Sequence, residues 1–350
     1  MPRGRSGLLV SGAILGGIIL LAGVAAPLLA PHDPDEQIDA AVAHDQPPGA
    51  VLAALHLADG SWLLAEKAVR TPAGLTTTRL GSEETWRASE IRNLTSDGVA
   101  DHRRFLLGSD RFGRDVLSRV LYGARISLAV GLLAVFLAAT LGLAVGSAAA
   151  LGGPWLDALL MRMVDALLAV PWLFLMIFLA ALFRPTGAFV VIFLGCTSWM
   201  GVSRLARAEI LSLRERDFVL AARATGQHPF AILWHHLLPN ALTPILVQAT
   251  LLLGDLILLE SALSFLGLGI GPPTPSWGNM ISEGRDALAT SWWVATFPGA
   301  ALALTVIAVN LLGEGLRDAL DPRSRGQRAR AARPSAPAGS EGEWTDGVRW

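Results

Sequence analysis

Long uncharged apolar runs constrain this chain more than any other feature of its sequence. Six segments of about 20 residues each contain no charged side chain or a single acid. Lipid offers no water to satisfy backbone polar groups, so segments of this kind form membrane-spanning helices. The predicted spans are residues 8–30, 127–151, 166–183, 185–203, 241–259 and 291–313, with the third helix beginning near Leu159.

The first run has an alternative interpretation. Arg3 and Arg5 precede residues 8–30, as basic residues precede the core of a cleaved secretory signal. The apolar run is longer than the roughly 7–15 residues of a signal core, and this favours an uncleaved membrane anchor.

The placement of arginine predicts the orientation of the spans, because short cytoplasmic loops carry an excess of basic residues. Basic clusters precede the first predicted span, lie between the fourth and fifth, and follow the sixth. The opposite short loops hold only Arg184 and Arg285. Both termini and the loop between the fourth and fifth spans are therefore expected in the cytoplasm. The long segment between the first two spans is expected outside, since long loops escape the rule.

Composition divides the chain into four regions. They are 1–30, a cytoplasmic stub with the first span; 31–119, a polar segment outside the membrane; 120–322, five spans with the cytoplasmic loop 204–239; and 323–350, a tail expected to be disordered. Within the outer segment, β-branched and aromatic residues at 61–69, 74–80 and 85–91 alternate with turns. This pattern predicts a small β-rich insertion between the first two helices.

Several classes of function are excluded by composition and motifs. Of the 28 basic residues, 27 are arginine, and Lys67 lies outside the glycine-rich context of a P-loop, so no such ATPase site is present. The single cysteine, Cys196, excludes an intrachain disulfide and a multi-cysteine metal site. Adjacent His235 and His236 do not share a helix face, which disfavours a metal site. A net charge of −1 offers no basic field for nucleic acid, and no catalytic motif is found.

The cytoplasmic loop 204–239 carries the strongest local signals. Asp217 suits the start of a helix, Gly226 its end, and Pro229 the first turn of a second helix. Pro239 is expected to break that second helix as the chain re-enters the membrane. The pattern predicts a helix–glycine–helix elbow whose apolar residues outside lipid are typical of a docking surface. A re-entrant hairpin that packs on its own bundle is the alternative.

Two acids, Asp255 and Glu260, lie in or at the end of the fifth predicted span. Acids at membrane depth are costly and usually face a cavity or a partner. Both are therefore candidates to line or gate a pathway for a charged substrate. The alternative for Glu260 is an interhelical hydrogen bond to Asn310, which makes Asn310 a third candidate.

A second polar group precedes the second span. Asp110, Arg114 and Asp115 are candidates for contact with an external partner or for a brace at a subunit interface, with Asp115 paired to Arg119 one turn later. The stretch that follows is amphipathic and is predicted to lie along the outer interface. Trp277 ends a glycine- and proline-rich run that predicts a shaped outer cap, which either touches a docked protein or closes the bundle.

The cytoplasmic loop resembles the coupling loop of ABC-importer permeases, which has the form EAAxxxG followed by LP. Here the corresponding letters are LAARATG, with Gly226 as the glycine, and LLP ending at Pro239. Leu220 replaces the family glutamate, and His236 stands where isoleucine is frequent. The change at Leu220 keeps the helix and the glycine but removes a carboxylate that would pair with a partner.

Four further blocks extend the resemblance, over nearly the whole chain, to permeases of the dipeptide/oligopeptide (DppC/OppC) type. They read LGSDRFGRDVLSRVLYGARISLAVG, MRMVDALLAVP, ESALSFLGLGIGPPTPSWGNM and FPGAALALTVIAVNLLGEGLRDALDPR. Ser109 stands where threonine is usual. The segment 37–104 has no counterpart that we can place in the family.

The resemblance implies an all-α integral membrane protein with six transmembrane helices of the type I ABC-importer kind, in the inner membrane of a bacterium. It implies a second permease (DppB/OppB-like), one or two cytoplasmic ABC ATPases that bind ATP and Mg, and an extracytoplasmic solute-binding protein. The chain itself would hold no cofactor. The residues implied in coupling to the ATPases are Phe218, Ala221, Ala222, Arg223, Gly226, Leu238 and Pro239.

Di- or oligopeptides are the substrates that the resemblance implies, with nickel, glutathione or another small solute as alternatives within the same class of importer. Two other classes remain open. A membrane sensor or scaffold is motivated by the enlarged outer segment, and a stand-alone ion-coupled carrier by Asp255 and Glu260.

Overall fold

The computed structural model of the protein describes residues 3–320, apart from residues 73, 96, 97, 100 and 184. The helices are α1 (Arg3–Val24), α2 (Ala26–Leu29), α3 (Ala40–Ala43), α4 (Val116–Leu151), α5 (Gly153–Leu168), α6 (Trp172–Leu182), α7 (Gly187–Leu213), α8 (Asp217–Ala224), α9 (Pro229–Ile232), α10 (Leu238–Phe265), α11 (Trp277–Arg285) and α12 (Trp293–Leu320). The strands are β1 (Ala50–His56), β2 (Trp62–Ala65), β3 (Lys67–Thr71), β4 (Gly74–Arg79), β5 (Ser82–Trp86), β6 (Leu94–Thr95), β7 (Gly98–Val99) and β8 (Asp101–Phe105). Arg184 and the predicted disordered tail 323–350 lie outside the described residues.

Five helical stretches among the described residues are long and apolar enough to cross a membrane. They lie in α1, α4, α7, the continuous stretch Pro229–Phe265 and α12. The third predicted span, 166–183, is divided between α5 and α6, which meet at an angle of 74°. Pro171 lies at this break. The helix ends there because proline lacks a backbone N–H and disfavours helical geometry at the residue before it. The pair makes a sixth crossing if it is counted as one bent span.

Helix α4 is longer than a membrane crossing requires. Its 36 residues extend about 54 Å, against about 30 Å of hydrocarbon. The amphipathic stretch predicted to lie along the outer interface forms the first turns of this helix, and these turns continue directly into its membrane-length part. No proline interrupts residues 116–151, and the helix therefore continues without a break from the insertion into the apolar core of the bundle.

Two glycines of α4 lie where α7 crosses it. A Cβ added at Gly146 would stand 2.5 Å from the carbonyl oxygen of Ser203 and 2.7 Å from the Cβ of Ala206. A Cβ at Gly142 would stand 2.6 Å from the Cβ of Val202. Glycines four residues apart let two apolar helices approach closely, so this pair sets the distance between α4 and α7.

Gly146→Ala should therefore destabilise the protein by about 1–3 kcal/mol, since the new methyl group must displace backbone atoms of α7. Gly201→Ala is the matched control, because Gly201 is also helical and an added Cβ there would have no described atom within 4 Å beyond its chain neighbours and its own helix backbone. Thermal unfolding of the purified chain, followed by tryptophan fluorescence, compares the two variants. Equal melting temperatures would contradict the close packing of α4 on α7.

The insertion between α2 and α4 contains three antiparallel sheets in its described part, with strand orders β2-β1-β8, β3-β4-β5 and β6-β7. Leu55 and Leu75 belong to one buried cluster, and Leu52, Leu64 and Phe105 belong to a second. The insertion therefore has its own apolar core, separate from the clusters between the long helices.

The positions of these strands follow the sequence pattern in part. The run 61–69 contains β2 and the start of β3, and the run 74–80 contains β4. The strand predicted at 85–91 is displaced, because β5 ends at Trp86 and a 3₁₀ turn follows at Ala88–Glu90. The side chain of Glu90 accepts a hydrogen bond from the backbone N–H of Arg87 and so favours this turn over an extended backbone.

Candidate functional site

The loop between α7 and α10 forms the predicted elbow, which consists of α8, the turn at Gly226, and α9. Asp217 is the first residue of α8, where a negative charge is favourable. The helix ends in a Schellman turn, in which the N–H of Gln227 donates to the carbonyl of Ala222 (3.2 Å) and the N–H of Gly226 to that of Arg223 (2.9 Å). Gly226 has a φ of 78°, in the left-handed region that glycine adopts without strain.

One face of the elbow packs on its own bundle. Val219 and Ala222 of α8 and Ile232 of α9 are buried in a cluster that also contains Val202 and Ile210 of α7. This contact fixes the position of the elbow relative to α7. Elements of both interpretations of the loop are therefore present, since the elbow packs against the bundle on one side and is open on the other.

The opposite face of the elbow is open. Phe218, Ala221 and Arg223 are exposed on α8. Phe230 on α9 and Trp234 just after it are 65% and 61% exposed. Leaving several large apolar side chains exposed together is typical of a surface that another protein or lipid covers.

The prediction that Pro239 breaks the second helix of the elbow is wrong. A π-helical turn at Leu233–Leu237 joins α9 to α10, and Pro239 is the second residue of α10. The wider turn accommodates the missing N–H of proline without ending the helical path. Leu238 is half-buried and Pro239 is exposed at this junction. The elbow therefore continues directly into the membrane-length helix α10.

The neighbouring histidines of this loop have separate partners. A ring nitrogen of His236 lies 3.1 Å from the amide oxygen of Gln227, and a ring nitrogen of His235 lies 3.0 Å from the carbonyl oxygen of Ala231. The described residues contain no group of three side chains that could hold a metal ion. The contact between His236 and Gln227 links the π-helical turn to the end of the glycine turn.

The polar residues before α4 form a buried ion-pair cluster. Arg114 donates to Asp110 at 2.6 Å and to Glu283 of α11 at 2.7 Å. Arg119 of α4 lies 3.4 Å from Glu283 and 3.4 Å from Asp35. All of these side chains except that of Asp35 are at most 8% exposed. The cluster therefore braces the start of α4 against α11 within a single chain.

Asp115 and Trp277, also predicted at this end, make structural contacts. The Asp115 carboxylate caps α4 and accepts from the backbone N–H (2.7 Å) and the hydroxyl (2.6 Å) of Ser118. Its predicted pairing with Arg119 is wrong, because capping directs the carboxylate to the first turn. Trp277 is buried at the start of α11, and its indole N–H donates to the carbonyl of Val120 (3.1 Å). Neither side chain is open to an external partner in this conformation.

Glu260 is buried between helices. Its carboxylate accepts hydrogen bonds from Ser264 (2.8 Å), from Ser127 of α4 (3.1 Å) and from Ser261 (3.4 Å). The predicted hydrogen bond to Asn310 is not formed, because three nearer hydroxyl groups satisfy the carboxylate and Asn310 lies exposed on α12. Glu260 therefore joins α10 to α4 and is closed off from any pathway in this conformation.

Asp255 is open, unlike Glu260. It lines a cleft of about 510 Å³ that is bounded by the break between α5 and α6, by α7 and by α10. Its carboxylate has no hydrogen-bond or ion-pair partner among the described residues. Among the described residues that line the cleft, Asp255 is the only charged one, and most of the others are apolar.

Sequence reasoning missed the partners of these buried groups. Glu283 is 169 residues from Arg114, and no local pattern points to it. Ser264 follows Glu260 by four residues. Side chains at this spacing are neighbours on a helix, so the contact between them could have been predicted from the sequence.

Apolar helices of membrane length, an open cleft with a lone acid and an exposed elbow are together typical of a membrane transport protein. The sequence profile of binding-protein-dependent transport system inner membrane components matches residues 124–326, which is more than half of the chain. The chain belongs to this family and is a permease subunit of an importer. The matched range begins after the insertion, so the insertion lies outside the family profile.

Individual relatives agree with the family. A Brucella suis protein named as a peptide transport system permease is 46% identical over 221 residues, which are 62% of this chain and 73% of the relative. The dipeptide transport system permease protein DppC of Alkalihalophilus pseudofirmus is 43% identical over 62% of this chain and 72% of its own. The di/tripeptide transport system permease protein DppC of Pseudomonas aeruginosa is 42% identical over 63% and 73%. A solved inward-facing MetNI methionine ABC transporter chain aligns with a TM-score of 0.49 at 18% identity, over 58% of this chain and 96% of that one.

Proposed function

We propose that this chain is the permease subunit of an ATP-driven importer of di- or oligopeptides. The observation that carries the proposal is the family match, together with relatives named as dipeptide and di/tripeptide permeases at 42–43% identity. Nickel, glutathione or another small solute are alternative substrates of the same class of importer. The selectivity between them lies mainly with the solute-binding protein.

In this arrangement the chain forms one half of a translocation pathway and a second permease (DppB/OppB-like) forms the other. Six crossings of the type I importer kind, with α5 and α6 as one bent span, lie in the inner membrane of a bacterium. Both termini and the elbow face the cytoplasm, and the β-rich insertion faces the outside. The excess of arginine in the short loops on one side supports this orientation.

Separate cytoplasmic ATPases, which bind ATP and Mg, dock on the elbow. Phe218, Ala221 and Arg223 lie on its open face and would contact the ATPase. Leu220 at the coupling position would supply an apolar contact where the family pattern has a glutamate. Ala222 faces the bundle and would act by holding α8 in place.

Movement of the docked ATPases is transmitted through the elbow as a rigid body. Gly226 sets the angle between α8 and α9, and Leu238 and Pro239 begin the helix that enters the bundle. An external solute-binding protein delivers the substrate at the opposite side. Asp110, Arg114, Asp115 and Trp277 would serve this side by holding the start of α4 and α11 in place, since all four are buried. The ATPases supply the energy, and this chain contributes no catalytic residue.

The experiment is reconstitution of the chain with its partner permease, ATPases and solute-binding protein in proteoliposomes. We expect uptake of a labelled dipeptide that requires ATP inside the vesicles and is abolished by omitting the ATPases. Uptake driven by a proton or sodium gradient without ATPases would overturn the proposal in favour of an ion-coupled carrier. No uptake, together with ligand binding to the isolated insertion-containing chain, would favour a sensor.

A further inference from the structure

Asp255, the break between α5 and α6, and Trp172 face one cleft among the membrane-length helices. We propose that this cleft is a subsite for an organic ammonium group, and that it holds the protonated amino terminus of a peptide in transit. The inference rests on the proposed function and adds to it the chemical group that this chain recognises. Asp255 is the binding residue, and the alternative partner of its carboxylate is a basic side chain of the second permease.

The charge of the cleft favours a cation. Asp255 is the only charged residue in the lining, and its carboxylate has no partner among the described residues. The other polar side chains in the lining, Thr197 and Ser198, are hydroxyls, which accept hydrogen bonds as well as donate them. The free energy of an unpaired carboxylate at membrane depth is high unless water or a cation contacts it. We therefore expect the carboxylate of Asp255 to have a ligand or a partner.

The position of Asp255 places the subsite well inside the membrane-length part of α10. It lies ten residues before the end of this helix at Phe265, a distance of about 15 Å along the axis. Half the thickness of the hydrocarbon region is also about 15 Å. With the end of α10 at Phe265 taken as one edge of the hydrocarbon region, the carboxylate lies near its middle, where an importer carries its substrate across the apolar barrier.

The break between α5 and α6 borders the same cleft. Leu167 and Leu168 in the last turn of α5 and Val170 within the break line it. The final carbonyl groups of a helix carry partial negative charge, which stabilises a nearby cation. Discontinuous helices mark substrate and ion sites near the bilayer midplane of transporters. Trp172 opens α6 and offers an exposed aromatic face, on which ammonium groups bind favourably.

The size and chemistry of the cleft favour a peptide amine over a metal ion. Its volume of about 510 Å³ is in the range of pockets for small organic ligands. A single carboxylate among apolar side chains provides too few ligands for a divalent metal, whereas one carboxylate and a ring suffice for an ammonium group.

Cys196 provides a reporter inside this cleft. It is the only cysteine of the chain, it is exposed, and it lies in the lining with Asp255. In proteoliposomes containing the whole transporter, Cys196 is labelled with a trimethylammonium-ethyl and with a sulfonatoethyl methanethiosulfonate, and its peptide is quantified by mass spectrometry. The ratio of the two rates is divided by the ratio for a free thiol in the same buffer. We expect the normalised ratio to favour the cationic reagent by about tenfold or more.

Variants assign this preference to Asp255. Asp255→Asn should bring the normalised ratio close to one, and Asp255→Glu should retain the preference. Glu314→Gln is the matched control, since Glu314 is an exposed acid of α12 that does not line the cleft, and it should leave the ratio unchanged. The measurement on the unmodified protein stands by itself if Asp255→Asn fails to assemble. A ratio near one in the unmodified protein overturns the proposal, as does a Cys196 that reacts with neither reagent.

A protection measurement identifies the group that is bound. Millimolar alanyl-alanine should slow the labelling of Cys196 by the cationic reagent several-fold, and N-acetyl-alanyl-alanine, which lacks the ammonium group, should not. Equal protection by both peptides, or by neither, contradicts the ammonium subsite. A cross-link from Asp255 to an arginine or lysine of the second permease would likewise overturn it.

The same vesicles separate this inference from the proposed function. ATP-driven dipeptide uptake without a charge preference at Cys196 overturns the subsite alone. Loss of ATP-driven uptake in the unmodified transporter overturns the proposed function, whatever the reactivity of Cys196.

Discussion

Replacing Arg114 with methionine should destabilise the protein by about 3–5 kcal/mol, because it leaves buried carboxylates without their main partner. Arg114 donates to both Asp110 and Glu283, and all three side chains are at most 8% exposed. For a chain of this size the melting temperature should fall by roughly 10 °C. Thermal unfolding of the detergent-purified transporter measures this loss.

Arg285→Met is the control for the ion-pair cluster. Arg285 pairs with Asp286 at 3.0 Å, but both side chains are more than half exposed, and a pair of this kind contributes at most about 1 kcal/mol. The double variant Arg114→Met with Glu283→Gln should recover part of the stability, since one uncompensated carboxylate is removed. A melting temperature of Arg114→Met equal to that of Arg285→Met would show that the cluster does not brace α4 against α11.

Gly226→Val should reduce ATP-driven dipeptide uptake by at least about tenfold while the ATPases remain active. A residue other than glycine at a left-handed φ costs about 1–2 kcal/mol, and a β-branched residue is among the least tolerant. Beyond the two chain neighbours of Gly226, no described atom lies within 4 Å of an added Cβ, so the effect comes from backbone strain and not from a clash. Relief of that strain opens the Schellman turn and changes the angle between α8 and α9. Uptake and ATP hydrolysis are measured on the same reconstituted transporter.

Two controls accompany Gly226→Val. Gly226→Asn should retain most of the uptake, because asparagine tolerates the left-handed region better than other residues. Gly60→Val places the same residue at a φ of 92° in the insertion, also with open space around it, and should leave uptake largely unchanged. Normal uptake by Gly226→Val would contradict a role for the elbow angle in coupling.

The elbow was predictable because its signals are local. Asp217, Gly226 and Pro229 each act on the backbone within one or two turns, and the structure places a helix start, a left-handed turn and a second helix start at these residues. The apolar runs were predictable for the same reason, since span length depends only on consecutive residues. The apolar run 166–183 also contains the residue that breaks it, Pro171. A proline inside an apolar segment is compatible with both a kink and a complete break, so the sequence did not distinguish the two.

The contacts within the sites were not predictable from spacing alone. Arg114 donates to Glu283, which is 169 residues away, and Ser127 donates to Glu260, which is 133 residues away. These pairs depend on which helices pack against each other. Local patterns also gave the wrong partner when two were available. Asp115 stands at the correct spacing for Arg119, but the free backbone N–H groups at the start of α4 are closer to its carboxylate. Whether Asp255 or Glu260 would be open depended likewise on the packing of α4.

The π-helical turn at Leu233–Leu237 has a consequence for how such a subunit diverges between lineages. A turn of this kind contains one residue more than the α-helical path it replaces. Each residue of an α-helix advances by about 100° around the axis. The extra residue therefore sets the rotation of α8 and α9 about the axis of α10. Gain or loss of a single codon in this turn would swing the elbow to a different side of the molecule without altering any residue of either helix.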